Sequence, residues 1–317
     1  MSLLMPTRSV AAVLLLGLAG CQSSASPARA DASAATASAA GATATTSASA
    51  VALLPGVELP AAGVPRDEVV HTLDPLGTPP YSGPTATMRG TVRVTGDEPP
   101  PYPRAIPVEC SAAAATHGKL FRTGQDHALA DVLVAVTGYD GFVPPREAAR
   151  RLTIRGCALS ARTVALTFGQ YLEVQNLDAL RSYVPHLEGS RAAAALVAVP
   201  RGDPVKLYVR QPGRYWLRDQ MGKPWLGADV FVLRYATVDV TGLDGRYEIG
   251  GVPVGKVHVA ALLPAANMKT AQRDVELKPG ENTLDLTIEF DAKKDAPGAA
   301  PDGGAADGGE QARPGNP

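Results

Sequence analysis

Between residues 85 and 291 the apolar positions follow a two-residue period, and turns bearing glycine or proline interrupt it. Residues 91–95 (TVRVT) alternate, and 131–136 (DVLVAV) form a nearly continuous apolar run. Val164, Leu166 and Phe168 fall on one face, as do Leu172 and Val174, and Val205, Leu207 and Val209. Residues 230–233 are apolar throughout, while 257–259 and 284–290 alternate again. The separators are G-Y-D-G at 138–141, Q-P-G at 211–213, G-L-D-G at 242–245 and K-P-G at 278–280. Short β-branched runs with regular turn chemistry predict an all-β fold, a sandwich or a barrel. One segment, 146–152 (REAARRL), reads as a short helix after two prolines.

The ends of the chain read differently. Residues 22–50 are Ala/Ser/Thr-rich and lack the large apolar side chains a core needs, so a disordered tether is expected. Residues 51–84 read as an extended Pro- and Gly-containing linker, and 292–317 as a disordered tail. At the N-terminus a single charge, Arg8, precedes an apolar run at 10–18 that is too short to span a bilayer. It has the dimensions of a signal-peptide core, so residues 1–20 are expected to direct export. Leu18-Ala19-Gly20-Cys21 resembles the lipobox of bacterial lipoproteins, with two small residues before the cysteine. The resemblance implies acylation of Cys21, with the lipid bilayer as a partner. Gln22 after the cysteine implies sorting to the outer membrane of a Gram-negative bacterium.

With 30 basic and 31 acidic residues, the chain gives no electrostatic case for nucleic acid. Of its 3 cysteines, Cys110 and Cys157 remain once Cys21 is set aside. In an oxidising compartment a bridge between them is the expectation, and two separate buried thiols are the alternative.

Residues 153–233 resemble the plastocyanin-like, methylamine-utilisation-type branch of the cupredoxins. The match is carried by Cys157, by Gly169, Gln170, Leu172, Val174, Asn176 and Asp178, by the Pro212-Gly213 turn, and by Q-M-G-K-P-W-L at 220–226. The family's copper ligands, carried over by position, fall on Ser182, Gln220, Lys223 and Leu226. A type 1 copper site takes one thiolate, two imidazoles and a weak axial sulfur, and none of these four residues supplies one. A degenerate copper site and no cofactor are therefore expected. His186 reads as a solvated residue rather than a ligand.

A second resemblance covers 237–290. The run V-D-V-T-G-L-D-G-R-Y-E-I-G-G-V-P-V-G-K-V-H-V and the ending D-V-E-L-K-P-G-E-N-T-L-D-L-T-I-E-F are similar to the carboxypeptidase-regulatory-like module, a transthyretin-like sandwich. The expected organisation is two β-sandwich domains, a cupredoxin-like Greek key at 85–235 and the regulatory-like sandwich at 236–291. Residues 85–140 also resemble the first strands of that module. They supply them if the cupredoxin-like segment is inserted rather than placed in tandem, and the sequence leaves this open.

No H-E-x-x-H or G-x-S-x-G motif is present, and the regulatory-like module is an accessory domain in the enzymes that give it its name. The expected function is a non-catalytic envelope lipoprotein whose sandwiches bind a glycan, a peptide or another envelope protein. A periplasmic copper-binding or electron-transfer protein is the alternative. Trp216, Trp225, Tyr183 and Tyr215 are candidate stacking surfaces in or near the loop region, with the buried core the expected place of at least Trp216.

Overall fold

The computed structural model describes residues 63–190 and 195–297. The signal segment, Cys21, the tether and the tail beyond 297 lie outside the described residues. In chain order the strands are β1 Thr85–Gly96, β2 Leu133–Thr137, β3 Ala149–Arg155, β4 Ala158–Leu159, β5 Thr163–Thr167, β6 Tyr171–Asn176, β7 Pro185–Glu188 and β8 Val205–Tyr208. They continue with β9 Gly213–Asp219, β10 Gly227–Leu233, β11 Val238–Val240, β12 Arg246–Pro253, β13 Gly255–Leu263, β14 Lys269–Leu277, β15 Gly280–Thr283 and β16 Leu286–Phe290. Three short helices, α1 Arg66–Leu73, α2 Ala113–His117 and α3 Ala292–Asp295, accompany them. The fold is all-β and consists of two β-sandwiches.

The host sandwich has one sheet ordered β12-β1-β15, with β16 also on β1, and a second ordered β11-β2-β13-β14. Met88, Val92, Phe121, Val134, Val259 and Phe290 are among the side chains that fill the space between them. Strand β1 pairs antiparallel with β12 over Thr85–Thr91, in parallel with β15 over Ala86–Arg89 on its other edge, and in parallel with β16 further along, over Val92–Gly96. Residues 85–140 therefore contribute β1 and β2 to the same sandwich as 236–291. Everything from β3 to β10 forms the second sandwich, with sheets β4-β3-β6-β8 and β5-β10-β9-β7. The chain leaves the host at the end of β2 and re-enters it at β11. These two strands pair antiparallel, Ala135 opposite Val238, so the insert occupies the loop of a hairpin.

Burial explains the apolar runs that do not alternate, on β2 and β10, and shows that β5 is also buried on both faces. On β2, Val134 and Val136 point into the host core while Leu133 and Ala135 point out of it. On β5 and β10, Val164, Leu166, Val230 and Val232 enter the insert core, and Ala165 and Phe231 face the other way. Leu133, Ala135, Ala165, Phe231 and Val238 meet in one cluster that joins the sandwiches. These strands are buried on both faces, which is what a continuous apolar run signals.

The disulfide Cys110–Cys157, with Cα atoms 5.4 Å apart, ties the β1–β2 connection to the insert. Tyr102, Ile106 and Ala113 of that connection pack on the insert core beside it.

Three expectations need correction. Residues 146–152 are not helical, because β3 begins at Ala149 and pairs in parallel with β6, which buries Leu152 and Ile154. Burial of those two side chains against the sheet outweighs the modest helix preference of the Arg- and Ala-rich segment. Linker residues 66–73 do form a helix, α1, and its Val69 and Leu73 rest on the insert core. The start of the tail is ordered: α3 is capped by the Asp291 side chain, which accepts from the Lys293 amide at 2.9 Å, and Asp295 pairs with Lys269 at 2.9 Å.

Candidate functional site

The motif residues on which the cupredoxin resemblance rests fix the two ends of β6 by hydrogen bonds, Gln170 just before the strand and Asn176 with Asp178 at its far end. Gln170 accepts from the Thr167 amide at 2.6 Å and donates to the Glu147 carbonyl at 2.7 Å. Asn176 donates to the carbonyls of Arg181 and Ala198 at 2.7 and 2.8 Å and accepts from the Asp178 amide. Asp178 in turn accepts from the amides of Gly156 and Cys157 and from the Tyr183 hydroxyl. Burial raises the Asp178 carboxyl, but these three donors outweigh it and hold it below the usual carboxylate range. Burial, followed by the Asp178 hydrogen bond and charge, pushes the Tyr183 phenol above its ordinary value.

The four copper-ligand positions do not converge as ligands. On β9 the core-facing residues are Leu217 and Asp219, so Gln220 is turned to solvent, and Leu226 is buried in the apolar core. Ser182 is half-buried beside Tyr183. The Lys223 ammonium lies 3.1 Å from the Asp219 carboxylate and 4.7 Å from the centre of the Tyr183 ring. Asp219 also accepts from the Val184 amide at 2.8 Å, and the Trp225 indole donates to the Cys157 carbonyl at 3.2 Å. This donor set does not fit copper, because a lysine cation stands where an imidazole is needed and the inward carboxylate is already paired with it. Among the described residues no group of three or more His, Cys, Asp or Glu is placed to hold a metal ion. His186 lies half-buried on β7 opposite Arg218.

The candidate stacking residues separate. Tyr183 and Trp225 are buried and Tyr215 is half-buried. Trp216, expected in the core, is instead 37% exposed. The alternation of β9 explains the correction: with Leu217 facing the insert core, Trp216 must face the other side of the sheet. There it lines a cleft of about 200 Å³ between the sandwiches, and Gly227 leaves room for the indole.

Charged residues that the sequence did not single out surround this cleft. Arg122 grips Asp131 through two hydrogen bonds, each 2.6 Å, and Arg214 holds Asp229 at 2.7 Å. Arg162 donates its main-chain amide to Asp131 at 2.8 Å and a guanidinium N–H to the Lys119 carbonyl at 2.8 Å. Burial pulls the Arg162 guanidinium below its ordinary value, with Asp131 and Asp229 working against that pull. Burial likewise raises the Asp229 carboxyl, and Arg214 offsets part of it. No local spacing signals the cluster, since its members come from five separate segments of chain.

The insert is a β-sandwich whose loop end carries no copper donor set among the described residues. Neither a family model nor a curated protein matches the sequence. Among solved structures the chain is similar to a reduced mutant amicyanin, at 15% identity over 31% of this chain and 97% of that one, with a TM-score of 0.24. A second mutant amicyanin, in the Cu(I) state, gives 17% identity over 27% and 82%, with a TM-score of 0.23. The Cu-containing nitrite reductase (NirK) from Thermus scotoductus SA-01 gives 13% identity and a TM-score of 0.23. The chain covers a quarter of that reductase's length, with 31% of its own residues aligned and 25% of the reductase's. No described helix is long and apolar enough to cross a membrane.

Proposed function

We propose that the chain is an exported, non-catalytic envelope protein, anchored through acylated Cys21, in which a cupredoxin-like sandwich without copper serves as a binding or structural module. In this reading the host sandwich is a carboxypeptidase-regulatory-like module, and the partners are a glycan, a peptide or another envelope protein. The observation that carries it is the loop end of the insert. Lys223, Asp219, Tyr183 and Asp178 satisfy one another there, and the cation among them repels a second one. Each of these side chains already has a partner, which leaves no free ligand among them.

Copper titration of the full chain, followed by desalting, metal analysis and visible absorption, tests the reading. The expected result is no retained copper and no charge-transfer band. Stoichiometric copper with such a band would overturn it and favour electron transfer. The anchor is tested separately: Cys21→Ala is expected to release the protein from the membrane fraction.

A further inference from the structure

We propose that the cleft between the two sandwiches binds an acidic sugar residue, a hydroxylated ring bearing a carboxylate, with Trp216 as its stacking surface and Arg162 as its anion contact. This deepens the binding-module reading and rests on it. The two sandwiches build the cleft jointly. Thr163, Asp229 and Trp216 are cross-strand neighbours on β5, β10 and β9, and Pro264, after β13, faces them from the host. Trp216 is the one large aromatic side chain on this sheet face that the host leaves more than a third exposed among the described residues. Its position is set, because a Cβ at Gly227 would lie 2.3 Å from indole atom Cζ2.

The charge balance selects an anion. Arg122 and Asp131 neutralise each other, as do Arg214 and Asp229, which leaves the Arg162 charge in excess. The guanidinium is partly desolvated, so a carboxylate there would form a charge-assisted, bidentate contact. The Asp229 carboxylate and Thr163 hydroxyl add acceptors on the same row, suited to ring hydroxyls. At about 200 Å³ the cleft is below the roughly 300–1,000 Å³ of drug-sized sites, which fits one ring rather than a folded segment. A peptide is the weaker fit. Strand addition needs a free sheet edge, and this cleft lies over the face of the two central strands, β10 and β9.

The test is titration of the full chain, in mild detergent, with a glucuronate oligosaccharide, a neutral glucose oligosaccharide of the same length, and acetate. Tryptophan fluorescence and calorimetry are the readouts. Saturable binding of the acidic saccharide is expected, with a change in Trp216 emission. Trp216→Leu and Arg162→Gln should each weaken it by about tenfold or more. If Arg162→Gln does not fold, Trp216→Leu decides alone, since the indole contributes little to either core. Equal binding of the neutral saccharide would overturn the acidic assignment. Full binding by the variants, or none by the native chain up to millimolar saccharide, would overturn the site. Copper retention is a separate readout, so a failed titration with no copper bound leaves the binding-module reading standing.

Discussion

Acid should destabilise this protein through one buried imidazole. His117, at the end of α2, is 2% exposed, and its Nε2 accepts the Leu159 amide at 3.3 Å. Burial pulls its pKa down to about 3, with Arg162 and Arg122 adding to the effect. The unfolded chain returns the ring to an ordinary value of about 6.5. Because the folded value is depressed, the stability linked to this group is complete above about pH 6.5 and is lost as the pH falls towards the folded value. The loss from this residue is about 2 kcal/mol by pH 5 and about 4 kcal/mol by pH 3. Asp229 and Asp239, raised chiefly by burial, act in the opposite sense over the acid range, so the wild type alone does not isolate the imidazole. His117→Gln does, since glutamine retains an acceptor for Leu159 but does not titrate. Denaturant unfolding of both proteins at stepped pH should give curves that converge by about 2 kcal/mol between roughly pH 7.5 and 5. Parallel curves would mean that His117 takes up its proton without unfolding, and the burial argument would be wrong.

Replacing both Cys110 and Cys157 with serine should lower stability by about 4 kcal/mol, from the 47-residue separation the bridge closes, as measured by denaturant unfolding. Gly90→Ala should cost about 1–3 kcal/mol, because the new Cβ would stand 1.8 Å from the Leu284 carbonyl oxygen where β1 passes the β15–β16 turn. An unchanged melting temperature would show that this approach relaxes freely. Lys223→Met should cost about 3 kcal/mol by stranding the buried Asp219 carboxylate, and adding Asp219→Asn should recover part of it. A double variant no better than the single one would show that the pair does not carry the loss.

Most of the strands were legible because one periodic signal, alternation or its replacement by a continuous run, follows directly from burial on one or both faces. The choice between tandem and inserted sandwiches was not legible. It rests on β1 meeting β12, β15 and β16, partners far away in sequence that no local pattern identifies. The segment at 146–152 misled for a related reason: Leu152 and Ile154 take their environment from β6, not from their neighbours. At the loop end the sequence drew attention to Ser182, Gln220, Lys223 and Leu226, but not to the Asp219 carboxylate that Lys223 pairs with. Asp219 passes unnoticed between Arg218 and Gln220 until strand direction places it inward. Trp216 was misplaced although Leu217 beside it fixes the side of the sheet it occupies, and the cleft's arginines come together only in three dimensions.

The hairpin placement of the insert makes the coupling between the sandwiches unequal. With the insert unfolded, bringing Thr137 back to Thr237 closes a loop of ~100 residues, at an entropic cost of about 4 kcal/mol. With it folded, its two ends stand a hairpin's width apart, and the Val136 amide bonds to the Thr237 carbonyl at 2.9 Å. A lesion in the insert core therefore propagates outward and weakens β2–β11 pairing in a sandwich it does not touch. A tight turn in place of the insert would make that pairing local, at the cost of exposing Leu133, Ala135 and Val238, which the insert covers.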